Sequence, residues 1–192
     1  SVQQKEEKEL IALVGMSGSG KDTILDLLTL NKYEPIISYT TRPPRHYEKD
    51  GVAYHFITEQ QFKELDSQGF FVEQTIYRNW HYGIAKKDCL PGRMIVVEPK
   101  GLAQLQQVIK DIVVIFVQTS EENRYKRLIK RGDDLNEIKR RISSDRELFA
   151  GMKEKSHIII DNNGDMQALI DKIPTLISIL VNSKYQRGQV VC

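Results

Sequence analysis

Short apolar runs recur along this chain, and segments with helical periodicity follow most of them. Five runs are short and apolar enough for interior strands: residues 10–14, 35–39, 94–98, 112–118 and 157–160. Apolar positions at helical spacing predict helices over residues 23–30, 102–109, 121–130 and 166–180. Strands that alternate with helices are typical of an α/β fold with a parallel sheet, and we predict that class.

The segment from residue 38 to residue 84 differs from the rest of the chain, because its pattern indicates short strands and it contains many polar aromatic side chains. We predict in it, in chain order, a loop, a strand, a helix and a hairpin: residues 40–51, 52–56, 58 onward and 70–84. The helix is expected to begin at Thr58, because Gln61 completes a capping-box pattern. The hairpin is expected to turn at Arg78 and Asn79. We interpret this segment as an insertion between strands of the core.

A basic segment and the chain end complete the organisation. Residues 126–146 contain eight Arg or Lys residues on a helical background, which predicts a mobile arm. We therefore divide the chain into a core (1–37, 85–125 and 147–192), an insertion (38–84) and an arm (126–146). The tail from Asn182 onward is predicted to be poorly ordered.

Composition excludes several classes of protein. A chain of 192 residues with 40% hydrophobic and 28% charged residues suits one compact globular domain. No stretch approaches the roughly 20 apolar residues of a membrane span, and the first residues lack the apolar centre of a signal peptide. The net charge is only +2. Two cysteines, Cys89 and Cys192, argue against a disulfide framework or a metal cluster and favour a reducing cytosol.

The clearest chemical signal is a glycine-rich loop at residues 15–21, which matches the first seven positions of the pattern G-x-x-x-x-G-K-[ST]. Glycines let backbone N–H groups converge on phosphate oxygens, and the following helix adds the positive end of its dipole. Lys21 supplies a mobile charge near the β- and γ-phosphates. The predicted ATP-binding residues here are Gly15, Ser17, Gly18, Ser19, Gly20, Lys21, Asp22 and Thr23.

The eighth position of this pattern departs from the rule. It is Asp22, where the pattern has a Ser or Thr whose hydroxyl binds Mg²⁺. A carboxylate can also bind Mg²⁺, but its charge would repel the phosphates when the metal is absent. Thr23 stands one residue late and should point elsewhere on the helix. The loop therefore predicts phosphate binding, makes Asp22 a candidate metal ligand and leaves catalytic efficiency open.

A second phosphate site is indicated by two arginines, Arg42 and Arg45, in a proline-stiffened segment. Their guanidinium groups can close on one phosphate dianion with forked, charge-assisted hydrogen bonds, and Tyr54 can add a hydroxyl. Residues 40–45 and 51–56 together form the pattern T-T-R-x-x-R…G-x-x-Y-x-F. In this pattern, and over nearly its whole length, the chain resembles guanylate kinases.

The resemblance implies a P-loop three-layer α/β fold with a parallel sheet, a small mixed α/β GMP-binding insertion and a helical lid. It also implies Mg²⁺-dependent phosphoryl transfer from ATP to GMP, and to dGMP, with ADP and GDP as products. We expect the small molecules ATP and GMP as partners, no nucleic acid, no membrane, and a cytoplasmic monomer or homodimer.

The resemblance assigns GMP binding to seven residues: Ser38, Arg42, Arg45, Tyr54, Glu73, Tyr82 and Glu98. The serine, arginine and tyrosine side chains match positions that hold the GMP phosphate. Glu73 matches a carboxylate that accepts hydrogen bonds from guanine N1–H and the 2-amino group, a donor pair that adenine lacks. Glu98 stands where the family usually has an aspartate near guanine.

Further roles follow from the resemblance on the ATP side. Arg131 and Arg141 match lid arginines that swing over the transferring phosphoryl group, and Arg127, nearby in the sequence, is expected to bind ATP. Asp161 matches the region that lines the adenine of ATP. The implied catalytic residues are Lys21, Arg42, Arg131 and Arg141.

Three positions depart from the family pattern. Ile84 stands where a serine usually contacts guanine, and Glu98 is one methylene longer than the usual aspartate. Val96 stands where many members have an aspartate that supports the magnesium. Since Val96 loses a carboxylate and Asp22 gains one, we hypothesise that the acid has moved across the metal site and the total charge is kept.

Two other functions stay open from the sequence. Guanylate-kinase-like domains also occur as scaffold modules that have lost their phosphate loop and bind peptides, whereas the loop at residues 15–21 is intact here. Alternatively, the changes at Ile84 and Glu98 could admit another nucleoside monophosphate as the acceptor. A survey of acceptors in an ADP-release assay distinguishes these possibilities.

Overall fold

The structure, a computed structural model, describes residues 9–182 and 188–192 and contains two β-sheets with helices around them. The strands are β1 (Leu10–Gly15), β2 (Glu34–Pro35), β3 (Tyr39–Thr40), β4 (His55–Phe56), β5 (Phe71–Tyr77), β6 (Trp80–Ala85), β7 (Arg93–Val96), β8 (Ile112–Gln118), β9 (Ile158–Asp161) and β10 (Gln189–Val191). The α-helices are α1 (Lys21–Thr29), α2 (Glu59–Ser67), α3 (Pro99–Val108), α4 (Glu121–Arg131), α5 (Leu135–Leu148), α6 (Met152–Lys155) and α7 (Met166–Asn182).

The larger sheet has six parallel strands in the order β10-β9-β8-β1-β7-β2. Every residue of β1 is buried, as expected for a central strand of a parallel sheet that is covered on both faces. Alternate residues of β1 join two separate hydrophobic clusters: Ile11 and Leu13 pack with α1 and α7, whereas Leu10 and Ala12 pack with α3. The predicted three-layer α/β class is therefore confirmed.

The smaller sheet is mixed, in the order β4-β3-β6-β5, and is built from the predicted insertion. Its hairpin turns at Arg78 and Asn79, whose φ angles of 49° and 66° match the two-residue turn of a twisted hairpin. The capping box before α2 is also confirmed, because Thr58 and Gln61 exchange side-chain-to-backbone hydrogen bonds of 3.1 and 2.8 Å.

The predicted basic arm is a helical hairpin made of α4 and α5. Its own small apolar cluster contains Leu128, Ile138 and Ile142, with Tyr125 packed against it. The charged side chains lie around this cluster and form several ion pairs between and within the two helices. The predicted arm thus lies in a pair of helices whose apolar residues pack against each other.

Two boundary predictions were wrong. The single strand expected over residues 35–39 is split, with Glu34–Pro35 in the larger sheet and Tyr39–Thr40 in the smaller one. The tail was expected to be disordered, but Gln189–Val191 pairs with β9 and buries Val191. Residues 183–187 of that predicted tail lie outside the described residues. In the part of the chain that the structure describes, no helix is long and apolar enough to cross a membrane.

Candidate active site

The phosphate loop joins β1 to α1 across the carboxyl end of the larger sheet. Gly18 and Gly20 have φ angles of 76° and 93°, a region that side chains with a Cβ rarely adopt. A Cβ at Gly18 would lie 2.9 Å from the carbonyl oxygen of Arg124, and a Cβ at Gly20 would overlap Asn162 Nδ2. The glycines are therefore required both by conformation and by close packing on α4 and on the residues after β9.

The carbonyl of Ser19 anchors the second half of the loop. It accepts hydrogen bonds from Asn162 Nδ2 at 2.8 Å, from Thr119 Oγ1 at 3.0 Å and from Arg127 Nη1 at 3.3 Å. Because C=O and N–H point in opposite directions across a planar trans peptide, this anchoring turns the Gly20 N–H toward the inside of the loop. Ser19 itself is fully buried, so it serves the loop through its backbone.

Arg127 lies behind the loop. Besides the Ser19 carbonyl, its guanidinium donates to the carbonyl oxygens of Asn162 at 2.7 Å and Gly164 at 3.2 Å. These contacts connect the loop, α4 and the residues after β9. Arg127 therefore supports the loop in this structure, and its predicted contact with ATP stays a prediction.

Lys21 opens α1 and faces a cavity of about 200 Å³. Burial lowers the pKa of Lys21, whereas the carboxylates of Asp22, Asp145 and Glu98 act in the opposite direction. The other residues that line this cavity are Gly15, Ser17, Val96, Val97 and Phe149. The lysine ammonium thus lies in a small recess whose nearest charges are mostly negative.

Sequence reasoning missed a buried ion pair beside the loop. Asp145 on α5 accepts a hydrogen bond of 2.8 Å from the backbone N–H of Ser17, and its carboxylate lies 3.6 Å from Arg124 Nη1 on α4. Asp145 belongs to the basic helical segment and Arg124 lies just before it, in a stretch that resembles an ordinary solvated face. No spacing rule connects a position on α4 with one on α5, so only the tertiary structure reveals the pair.

A larger cavity of about 700 Å³ lies between the smaller sheet and the edge of the larger one. It brings together all seven residues that the resemblance assigned to GMP binding: Ser38, Arg42, Arg45, Tyr54, Glu73, Tyr82 and Glu98. We refer to this space as the acceptor cavity. Ser38 and Tyr54 directly precede β3 and β4, the two arginines lie in the loop after β3, and Tyr82 lies in β6. Of the carboxylates, Glu73 lies in β5 and Glu98 follows β7.

Glu48 organises the arginines of the acceptor cavity, a role that sequence reasoning did not assign. Its carboxylate accepts two hydrogen bonds from Arg42, at 2.8 and 2.9 Å, and one from the Arg45 backbone N–H at 2.8 Å. The paired guanidinium holds the pKa of Glu48 near 2 and raises the pKa of Arg42. The Arg42 guanidinium also lies 5.4 Å above the centre of the Tyr54 ring.

Glu73 is a buried carboxyl group of the acceptor cavity. It is only 8% exposed, and burial, together with the charge of Glu98, raises its pKa to about 7. A Cβ at Gly101, in the first turn of α3, would approach Glu73 Oε1 to 3.0 Å, so the glycine makes room for this side chain. Ile84 is buried and gives the same cavity an apolar wall.

The two cavities meet at the carboxyl end of β7, where Val96, Val97 and Glu98 line both of them. Ligand sites of open parallel sheets lie outside the carboxyl ends of the strands. A phosphate in the loop and a phosphate in the acceptor cavity would therefore face each other across this strand end.

The two predicted lid arginines share one carboxylate. Asp133 accepts a hydrogen bond of 2.7 Å from Arg131 Nε and one of 3.3 Å from Arg141 Nη1. The charge of Arg131 lowers the pKa of Lys21, which places that arginine on the loop side of the helical hairpin. Arg141 also donates to Glu137 at 3.1 Å.

The remaining predicted residues occupy separate positions around the loop. Asp22 and Thr23 lie in the first turn of α1, and Asp22 is exposed. Asp161 ends β9, and its carboxylate accepts a hydrogen bond of 2.9 Å from the side chain of Asn163.

Within the described ranges, no group of three or more His, Cys, Asp or Glu residues is arranged to hold a metal ion. A Mg²⁺ ion here would depend mainly on phosphate and water oxygens, as this metal commonly does.

A parallel α/β sheet with a glycine phosphate loop that opens toward an arginine-lined cavity defines the chain as a P-loop nucleotide-binding protein. The model of the guanylate kinase family matches residues 7–179. The guanylate kinase of Coxiella burnetii is 31% identical over 188 residues, which cover 93% of this chain and 89% of that protein. The guanylate kinase of Clostridium perfringens strain 13 is 35% identical over 177 residues, or 85% and 81% of the two chains. The chain belongs to the guanylate kinase family.

The crystal structure of the guanylate kinase from Anaplasma phagocytophilum has the same fold. It superposes with a TM-score of 0.64 over 89% of this chain and 85% of that chain, at 21% sequence identity.

Proposed function

We propose that this protein transfers the γ-phosphoryl group of ATP to GMP, and also to dGMP, giving ADP and the corresponding diphosphate. The observation that supports this most strongly is the contact between the two cavities along Val96, Val97 and Glu98. One cavity belongs to a phosphate loop and the other holds two arginines beside a buried carboxylate. Membership of the guanylate kinase family supports the same reaction.

The reaction requires positioning and charge neutralisation more than covalent chemistry, because the attacking atom is already a phosphate oxygen. Lys21 would neutralise the β- and γ-phosphates from the loop side. Arg42 and Arg45 would hold the GMP phosphate, and Arg131 and Arg141 would exchange Asp133 for the oxygens of the transferring group. Closure of the helical hairpin and the smaller sheet would exclude water that could otherwise hydrolyse ATP.

Base selection would depend on Glu73. An ionised carboxylate accepts hydrogen bonds from the guanine N1–H and 2-amino groups, and adenine offers no such pair of donors. Because its pKa is near 7 in the empty cavity, Glu73 must lose its proton when guanine binds. Glu98, which raises that pKa, would lie beside the same base. Ile84 would contact the base without a hydrogen bond.

A bound magnesium ion would supply positive charge that offsets part of the negative charge of the ATP phosphates. Asp22 is the candidate protein ligand, because it lies in the first turn of α1 directly after Lys21. The apolar side chain of Val96 lines the cavity that Lys21 faces. That a carboxylate at position 22 replaces one that is missing at position 96 stays a hypothesis. We further propose a cytoplasmic enzyme, either monomeric or homodimeric.

An ADP-release assay over GMP, dGMP, AMP, UMP and CMP tests the proposal. We expect turnover with GMP and dGMP that exceeds turnover with the other three acceptors. Turnover with a different acceptor would contradict the assigned specificity. Normal GMP binding without turnover of any acceptor would instead favour a binding or scaffold domain.

A further inference from the structure

The two backbone groups of Ser17 are both held by the buried ion pair between α4 and α5. The Ser17 N–H donates to Asp145 Oδ2 at 2.8 Å, and the Ser17 carbonyl accepts from Arg124 Nη1 at 3.4 Å. Arg124 is 3% exposed and Asp145 is 7% exposed. A residue whose N–H and C=O are both fixed by buried charged groups has little freedom to rotate its flanking peptide planes.

The orientation of the Ser17 carbonyl determines where the next amide points. The Ser17 C=O and the Gly18 N–H belong to one planar trans peptide and therefore point in opposite directions. Since Arg124 holds the carbonyl on the α4 side, the Gly18 N–H is directed away from α4. Gly18 has a positive φ angle and no side chain, so nothing within the residue itself prevents a peptide flip.

The same arrangement occurs once more in the loop, at Ser19. There the carbonyl is held by Asn162, Thr119 and Arg127, and the following amide belongs to Gly20. The contacts to the Ser17 and Ser19 carbonyls thus orient the amides of Gly18 and Gly20, respectively. The two carbonyls differ in their partners, because the Ser19 carbonyl has three hydrogen-bond donors, whereas the position of the Ser17 carbonyl depends on one ion pair.

We propose that Asp145 and Arg124 are positioning residues for the phosphate loop, which act through Ser17 and direct the Gly18 amide toward the nucleotide phosphates. Asp145 fixes the Ser17 amide and supplies the counter-charge that keeps the Arg124 guanidinium beside the Ser17 carbonyl. Arg124 Nε has no hydrogen-bond partner within the described residues, so this guanidinium is incompletely satisfied and depends on Asp145. The inference rests on the proposed binding of ATP in this loop.

The test compares three variants with the wild-type chain, using ADP with Mg²⁺ as the loop probe and GMP as the acceptor probe. Asp145→Asn keeps the shape but removes the charge. The paired variant Arg124→Met/Asp145→Ala removes both charges, which protects the fold because apolar replacements of a buried pair are often neutral. Arg146→Gln is the matched control, since Arg146 also joins α5 to α4, at Glu121, but does not contact the loop.

We expect ADP affinity, measured by titration calorimetry, to fall about tenfold in Asp145→Asn and in the paired variant, the scale of one charge-assisted hydrogen bond. GMP affinity should change less than about twofold, and Arg146→Gln should resemble the wild type. In amide NMR spectra, the shift of the Gly18 signal on ADP addition should shrink in the paired variant, whereas that of Gly20 should persist. A purely structural ion pair would not produce this difference between the two glycines.

Three results would overturn the inference. The first is an ADP affinity equal to that of the wild type in the paired variant, provided that this variant folds. If it does not fold, the same result in Asp145→Asn counts instead. The second is an equal loss of ADP and GMP affinity, which would indicate a general loosening of the fold. The third is an ADP-induced shift of the Gly18 amide signal that is the same in the paired variant as in the wild type. A wild-type chain that binds ADP but does not phosphorylate GMP would instead contradict the proposed function and leave this inference intact.

Discussion

The phosphate loop and the acceptor cavity are built in different ways to bind the same chemical group. The loop offers backbone amides, and their orientation depends on buried polar contacts with the Ser17 and Ser19 carbonyls. The acceptor cavity offers side chains, and its two arginines are arranged by a single carboxylate, Glu48. A nucleotide that enters the loop meets donors fixed by the core, whereas one that enters the cavity must compete with Glu48 for Arg42.

This difference implies that substitutions can weaken nucleotide binding in one region without weakening it in the other. Substitutions around the loop should affect ATP and ADP, and substitutions in the acceptor cavity should affect GMP. Residues at the shared end of β7, such as Val96 and Glu98, line both cavities and are placed to affect both nucleotides.

Removal of the Lys21 ammonium should have the largest effect. Lys21→Ala is expected to lower kcat by about 10²–10³-fold, because a preorganised positive charge at the transferring phosphoryl group is lost. GMP affinity should stay near the wild-type value. Steady-state kinetics and GMP calorimetry measure the two effects, and Lys63→Ala on the exposed face of α2 is the control. A parallel loss of GMP affinity would show that the two sites are not separable.

Removal of the Arg42 guanidinium should weaken the acceptor side alone. Arg42→Met is expected to lower GMP affinity by about ten- to a hundredfold, since two charge-assisted hydrogen bonds to phosphate are lost. ADP affinity should be unchanged. Glu48→Gln keeps the arginine but removes its partner, so its effect on GMP should be smaller. An ADP affinity that falls with either variant would contradict the comparison.

Replacement of the buried carboxylate should change which base is accepted. Glu73→Gln replaces one of the two acceptor oxygens with an NH₂ group, which faces a donor of guanine instead of accepting from it. GMP affinity should therefore fall by about tenfold or more. The ratio of GMP to AMP turnover should narrow at the same time. Competition assays with both nucleotides measure this ratio, and Glu59→Gln on the exposed face of α2 is the control for the loss of a negative charge. An unchanged ratio would show that Glu73 does not select the base.

The protonation of Glu73 predicts a pH dependence that only GMP binding should show. Its folded-state pKa of about 7 lies above the ordinary value of 4.5, so the empty protein favours the protonated form. Protonated Glu73 cannot accept both guanine hydrogen bonds, and GMP affinity should therefore rise as pH rises through about 7. The stability of the empty protein should fall as pH rises from 4.5 to about 7 and stay lower above that range, because the unfolded chain ionises Glu73 more readily than the folded protein does.

Calorimetric titrations at several pH values, with ADP as the comparison, test this prediction. Glu98→Gln should move the GMP transition to lower pH, because it removes one negative charge that raises the Glu73 pKa. A transition of equal size for ADP, or none for GMP, would contradict the assignment.

The smallest effect is expected at the metal. If Asp22 replaces a carboxylate missing at position 96, Asp22→Ser should raise the Mg²⁺ concentration needed for half-maximal activity by a few-fold and should not improve activity. Activity measured over a range of Mg²⁺ concentrations tests this. Higher activity in Asp22→Ser would show that Asp22 is a defect and not a compensation.

The elements that could be predicted from the sequence are those with a local signal. The glycine pattern defined the loop between β1 and α1, the alternation of strands and helices defined the fold class, and Thr58 with Gln61 marked the start of α2. The predicted phosphate-binding residues of the insertion were found because the pattern places Arg42, Arg45 and Tyr54 within a short stretch of chain. Each of these signals lies within one or two adjacent elements.

The features that could not be predicted depend on contacts between distant parts of the chain. The roles of Arg124, Asp145 and Asn162 come from their positions around the loop, and a basic helix or a polar residue after a strand carries no sign of them. The strand expected over residues 35–39 was split because an apolar run does not show which sheet it joins. The order of the chain end depends likewise on the pairing of β10 with β9.

The central claim is that a phosphoryl group passes directly from the loop to a nucleotide in the acceptor cavity. The most direct test is to incubate the protein with Mg²⁺, GMP and ATP labelled at its γ-phosphate, and to locate the label in the products. We predict label at the β-phosphate of GDP, little in inorganic phosphate, and label transfer by Lys21→Ala that is slower by about 10²–10³-fold. Label that appears mainly in inorganic phosphate, or that stays in ATP while GMP is bound, would contradict the account.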